Sequence, residues 1–359
     1  MVSAKPKITW KTLIMLLVGI VAFILYLLVL RVDILEIVAE IQSANMPLYL
    51  LAASFIFIEM FFYAMAWRSL LNFLSVKLSV LKSYLYVWYG NFMDIIIPAE
   101  SISGEISRAY LITREHGNLV GGKVAASLVA HRLIGMGVGA ATIGTGTIML
   151  LTEKPIDALI FNLSVFITAA TVFFIILLVM LCVKINWTLK IIDSLIRIFG
   201  FIGGGRWKDK LAKIREDAVK AVGTFYESMR QYVHAPRVIA TSIFLSAFSW
   251  LSYLAICYIV FLAIGTSNVS LGKIFVTQSI VMAVKSIPIG VPFEVGLPEI
   301  TMTTIYVILG IPFDISATAT VLTRILSLWL KFFVGFAIQQ WVEITAIKVS
   351  FKAVKTEKG

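Results

Sequence analysis

The chain has 359 residues, of which 60% are hydrophobic and only 14% charged, against roughly 25% charged in an ordinary soluble domain. That composition excludes a soluble globular fold and places the chain in lipid. The net charge of +11 then reports topology, because Lys and Arg concentrate on the cytoplasmic side of membrane proteins; no nucleic acid partner is expected.

Taken in chain order, Leu13 to Leu30 is an uncharged run behind Lys5, Lys7 and Lys11. It is long enough to cross a hydrocarbon core of about 30 Å at 1.5 Å per helical residue. No small-x-small cleavage site follows, so it reads as an uncleaved first helix. Met46 to Trp67 is the next span, interrupted by Glu59. From Lys82 to Arg114 the sequence NFMDIIIPAESISGEISRAYLI is broken by Pro98 and Gly104. It reads as a segment that dips into the bilayer and returns. Val124 to Leu151 holds His131 and Arg132, and its Gly135, Gly139, Ala140 and Gly144 form a small-residue face suited to close helix packing. Ala158 to Val183 is a further uncharged span.

The segment 184–237 is a basic cytoplasmic insertion. From Arg206 to Val233 apolar residues recur every three or four positions (Leu211, Ile214, Ala218, Val222, Phe225, Met229). This predicts an amphipathic helix that either lies on an anionic leaflet surface or packs beneath the bundle. Gly200, Gly203, Gly204 and Gly205 before it lack a Gly-Lys-Ser/Thr ending and read as a hinge. Val238 to Gly272 is uncharged. Lys273 to Pro312 carries Pro288, Gly290, Pro292, Gly296 and Pro298 and reads as a second dip, and Ile315 to Val342 is a last span containing Arg324 and Lys331. Lys331 is expected to snorkel to the cytoplasmic face.

With six full spans, two re-entrant hairpins and both termini in the cytoplasm, only Arg31, Lys154 and Lys273 fall outside. Arg132, Lys285, Arg324 and Lys331 lie within the membrane, and the rest of the 31 Lys and Arg are cytoplasmic. If both dips were full crossings, the basic insertion would lie outside, against the positive-inside bias. The expected fold is therefore an all-α polytopic membrane protein, a single transmembrane domain over 1–359. Its two halves, about 46–151 and 238–342, share one order: a span, a half-helix, an Ile-Pro break, an acidic glycine turn, a second half-helix, and a span with an arginine about ten residues in. The first half begins with a span running inward and the second with one running outward, so the repeats are inverted. That construction lets two similar halves exchange inward-open and outward-open shapes around a midplane site.

Prolines and glycines at the breaks release backbone amides that hydrocarbon cannot satisfy, so the breaks must be buried or line a watery cavity. The second half-helix of each hairpin then points a positive dipole end toward mid-membrane, which favours an anion. Glu105 and Glu299 sit at those ends, as caps or as site residues. Arg132 and Arg324 each lie ~15 Å deep at 1.5 Å per residue. An arginine there costs at least about 2.5–3.5 kcal/mol and needs a partner or an aqueous cavity. The acids within reach are Glu59, Asp94, Glu100, Glu105, Glu294 and Glu299. Two readings stay open: salt bridges that tie each hairpin to its span, or a cationic cavity for a phosphate-bearing substrate.

Gly104-Glu105 with Arg108, the Ala126 to Arg132 stretch, the Gly296 to Glu299 turn and Leu322 to Arg324 resemble the lysylphosphatidylglycerol synthase transmembrane-region family, also described as flippase-like. The resemblance runs from about Leu13 to Val342. In bifunctional members, similar to the bacterial multiple peptide resistance factor, this unit is implied to move an aminoacylated phospholipid between leaflets while a separate soluble domain makes it. Here the chain stops at Gly359, shortly after the last span, so synthase activity is not expected. The turn VPFEVGLPE departs from the family's Gly-Gly-Leu-Gly-x-x-Glu by extra prolines and Glu294. Carried over, the substrate-binding candidates are Arg132, Arg324, Glu105, Glu299 and Arg108, with Glu59 added from its place in a span.

No nucleophile elbow, Walker motif or metal-spaced His/Cys set is present; His116, His131 and His234 are scattered, and Cys182 and Cys257 fall in apolar spans. No enzyme activity and no cofactor or metal is expected. The leading expectation is a lipid translocase of the cell membrane, moving an anionic or phosphate-linked lipid headgroup. The rivals are a transporter of a small anionic solute and a non-transporting partner of a separate lipid-modifying enzyme. A homo-oligomer is compatible with each.

Overall fold

A computed structural model describes residues 44–97, 102–153, 157–185, 188–190, 193–194, 196–197, 208–285 and 296–356. The expected first span with Arg31, both hairpin tips (Pro98 and Glu100; Pro288, Gly290, Pro292 and Glu294), Lys154 and the glycine hinge lie outside the described residues.

Among the described residues the chain is helical throughout. The order is α1 (Met46–Phe73), α2 (Val80–Ile96), α3 (Ile102–His116), α4 (Gly121–Glu153), α5 (Ala158–Val183), α6 (Lys208–Val233), α7 (Pro236–Ala263), α8 (Leu271–Lys285), α9 (Leu297–Ile308), α10 (Phe313–Arg324), a π-helical stretch over Ile325–Leu330, and α11 (Lys331–Thr356). Among the described residues five helices are long and apolar enough to cross a membrane: Met46–Phe73, Asn118–Glu153, Ala158–Cys182, Pro236–Ala263 and Phe313–Thr345. The short helices α2, α3, α8 and α9 have 17, 15, 15 and 12 residues. At 1.5 Å per residue each falls short of a hydrocarbon core of about 30 Å.

Local chemistry sets the boundaries. Asn45 caps α1 by accepting from the Leu48 N–H at 3.2 Å, and its own N–H donates to the Ala263 carbonyl at 2.7 Å, joining the start of α1 to the end of α7. After α1 the chain turns through Ser75, whose φ is +66°. Asn72 Oδ1 and Arg68 Nε hold that turn by accepting from and donating to Leu78 at 2.8 Å each. Gly265 and Gly310, at φ +79° and +81°, end α7 and α9.

The centre is the pair α1 and α7. Ser242, Ser246, Ser249 and Ser252 form a buried stripe on α7; Ser242 donates to the Ala66 carbonyl at 3.2 Å and Ser249 to the Glu59 carbonyl at 3.0 Å. In lipid, where apolar burial drives little, small residues that let backbones approach are what hold helices together. The stripe anticipated on α4 is different: apart from the helix's own backbone, no described heavy atom lies within 4 Å of a Cβ placed at Gly135, Gly139 or Gly144. Farther along α4, Gly146 does make a close approach, to Phe275 and Val276 of α8.

The first short arm of each pair packs against the long helix of the other half: α2 on α11, and α8 on α4. Helix α6 packs under α4, with Phe225, Met229 and Tyr232 against Leu70, Ala126 and Ala130. The amphipathic face is thus seated on the bundle. Helix α5 leaves Phe166, Phe173, Phe174 and Ile176 exposed. In water such a surface would aggregate; in hydrocarbon it is simply solvated.

Candidate functional site

Helices α2 and α3 fold back on each other because two glycines permit it. A Cβ on Gly104 would collide with the Asp94 carboxylate and with the Gly90 carbonyl. Asp94 Oδ1 accepts from Ser103 Oγ at 2.8 Å and from the Gly104 N–H at 2.6 Å, so it satisfies the start of α3 from α2. In the second pair, Gly296 at φ +102° precedes α9, and Glu299 Oε2 accepts the Gly296 N–H at 2.7 Å. Each second arm also carries an acid in its first turn, Glu105 in α3 and Glu299 in α9, where the positive end of the helix dipole favours it.

Both expected arginines pair with those acids. Arg132 Nη1 is 3.3 Å from Glu105 Oε2, and Arg324 Nε donates to Glu299 Oε1 at 2.5 Å. The partners are 27 residues apart in one half and 25 in the other. A third ion pair was not foreseen. Lys331 does not snorkel: it is buried, with Nζ 2.8 Å from the Glu59 carboxylate. The signal was present, since Lys331 follows Arg324 by two helical turns and shares its face.

These groups converge on one cavity of about 210 Å³. It is lined by Glu59 of α1, Asn91, Asp94 and Ile95 of α2, and Arg132 of α4. Trp250 and Tyr253 of α7, Gln278, Val281, Met282 and Lys285 of α8, and Arg324, Ser327, Leu328 and Lys331 complete it. The last four straddle the π-helical stretch, a distortion that recurs at functional sites because it re-aims side chains. Tyr49 donates to the Leu322 carbonyl just ahead of it, at 3.1 Å. Among the described residues four cations and two carboxylates face this space, and Asn91 Nδ2 and Trp250 Nε1 are buried donors without a hydrogen-bond partner there. Such a lining has the charge and the donors that suit a group rich in anionic oxygens. Among the described residues no cluster of His, Cys, Asp and Glu would hold a metal.

Of the candidate residues, Arg132, Arg324 and Glu59 line the cavity, while Glu105 and Glu299 stand behind the two arginines. Arg108 sits apart. Counted above with the residues of the cytoplasmic side, it is 4% exposed within the protein. Its guanidinium lies 5.0 Å from the Trp67 ring and 5.7 Å from that of Tyr63, and Nε donates to the Gly104 carbonyl at 3.4 Å. Sequence reading passed over Asn91, Trp250, Tyr253 and Gln278, neutral residues that periodicity does not mark. Tyr253 donates to Gln278, which donates to Tyr306, at 3.1 and 2.9 Å, a chain through α7, α8 and α9.

Comparison with known proteins matches residues 14–335 to the family described as the lysylphosphatidylglycerol synthase TM region. A UPF0104 membrane protein of Pyrococcus horikoshii is 21% identical, over 82% of this chain and 87% of its own. Another, from Methanothermobacter thermautotrophicus, is 24% identical over 91% and 94%. No solved structure matches.

Proposed function

The chain belongs to the lysylphosphatidylglycerol synthase transmembrane-region family, a multi-pass membrane family with a lipid-related role, and from that premise we propose that it is a lipid translocase. An anionic or phosphate-linked headgroup enters the cavity between the α2–α3 and α8–α9 pairs while its acyl or prenyl tails stay in the membrane. The observation that carries this reading is the convergence of Arg132, Lys285, Arg324 and Lys331 on one cavity. Its volume of about 210 Å³ is below the ~300–1,000 Å³ of pockets that enclose a whole drug-sized ligand. That suits a headgroup whose tails remain outside.

In this reading the two short-helix pairs enter the bilayer from opposite faces as an inverted repeat, with the termini in the cytoplasm of the cell membrane. Six spans include Leu13 to Leu30. The chain acts as a carrier and not as a catalyst, and an enzyme that modifies the lipid is a separate protein.

The test is leaflet exchange in liposomes carrying the full chain, with a fluorescent phosphatidylglycerol or a polyprenyl-phosphate sugar as cargo. Wild type is expected to exchange at least about tenfold faster than the Arg132→Ala/Arg324→Ala variant, the loss of one charge-assisted contact or more. Equal rates would sink the reading. Uptake of a water-soluble phosphate ester, with no lipid exchange, would instead support a small-anion transporter.

A further inference from the structure

Arg108 is buried yet incompletely paired: the Tyr63 hydroxyl stands beside the guanidinium, but Nη1 has no hydrogen-bond partner among the described residues. Leaving a charged donor dry is costly, and a packed fold has little reason to retain one unless a partner arrives at some stage. The nearest acid on its own helix is Glu105, three residues earlier and so on the same face. The charges of Arg132 and Arg108 both act on the Glu105 carboxylate. Asp94 Oδ1, by contrast, is already engaged by Ser103 and Gly104.

The present partner of Glu105 is held loosely. The Arg132 contact is 3.3 Å, with the side chains 37% and 20% exposed. In the second half, Glu299 has both oxygens committed, one to Arg324 and one to the Gly296 N–H, and the side chains are 6% and 1% exposed. The residue three after Glu299 is Met302, so that acid has no second cation on its helix.

Building on the anion-accepting cavity, we propose that Arg108 is the alternate partner of Glu105: when an anionic group engages Arg132, the carboxylate swings from Arg132 to Arg108 Nη1. Without that reserve the displaced carboxylate would repel the incoming anion. The Trp67 and Tyr63 rings hold the guanidinium in place until then. Arg132 is thus the arginine that meets the headgroup, Arg324 braces the opposite wall, and Arg108 is a positioning residue acting through Glu105.

The test is calorimetric binding of dihexanoylphosphatidylglycerol to the detergent-solubilised full chain, with thermal unfolding recorded alongside. Arg108→Met is expected to weaken binding about tenfold or more. Adding Glu105→Gln, which leaves no carboxylate to displace, restores it to within about threefold of wild type, and Arg108→Lys retains most of it. Arg108→Met that binds as wild type overturns the proposal, as does a folded double variant without restored binding. Should Arg108→Met not fold, Glu105→Gln alone decides: tighter binding than wild type supports the exchange, and equal or weaker binding overturns it. A chain that shows this binding pattern but moves no lipid between leaflets retains the exchange and loses the translocase reading. One that moves lipid with no dependence on Arg108 does the reverse.

Discussion

The two short-helix pairs carry the same chemistry in different settings. Around α3 the arginine–glutamate contact is long and partly open; around α9 it is short and sealed. Neighbouring polar groups differ in kind too. Arg108, Asp94 and His131 crowd the first pair, whereas Gln278, Tyr253 and Tyr306 give the second a neutral hydrogen-bonded chain. An ion pair with access to water is exchangeable, and one buried with every oxygen engaged is structural. On the proposal above, the first pair changes partners and the second holds its shape.

The comparison is broken most directly at Arg324. Arg324→Ala leaves Glu299 buried and uncompensated, and is expected to cost about 3–5 kcal/mol of stability, read as a lower unfolding midpoint in detergent; a loss below 1 kcal/mol would show that the second pair is not the rigid one. Gly104→Ala tests the hinge of the first pair. Its methyl meets Asp94 and the Gly90 backbone, so a cost of about 1–3 kcal/mol is expected from overpacking, and Gly135→Ala, in open space among the described residues, should cost nothing by the same measurement. Glu59→Gln and Lys331→Met in a double-mutant cycle should couple by about 0.5–3 kcal/mol, because the pair joins α1 to α11 beside the cavity. The smallest stability effect belongs to Arg132→Ala, under about 1 kcal/mol for a partly exposed pair, combined with the loss of probe binding. Equal destabilisation by Arg132→Ala and Arg324→Ala would erase the distinction.

Much of this was legible beforehand. Long apolar runs, some interrupted by a charge, located the long helices, although Met46 to Trp67 extends to Phe73 and Val238 to Gly272 ends as a helix at Ala263, where Gly265 turns the chain. Prolines and glycines located the short pairs, and the depth of Arg132 and Arg324 forced the search for partners. What stayed hidden was neutral or three-dimensional. The serine stripe of α7 looks like nothing special in a list of residues until α1 lies against it. Lys331 was read by its distance from the helix end, and the bundle around Glu59 overrode that.

Sequence by itself determined the solvent of this protein, the helices that solvent requires, and the presence of charges inside its apolar runs, because hydrocarbon penalises every unpaired polar group and leaves few alternatives. Which acid meets which base, which pair is open and which is sealed, and the cavity they surround were decided only by tertiary packing. Each depends on side chains brought together from helices far apart in the chain, a distance no local pattern encodes.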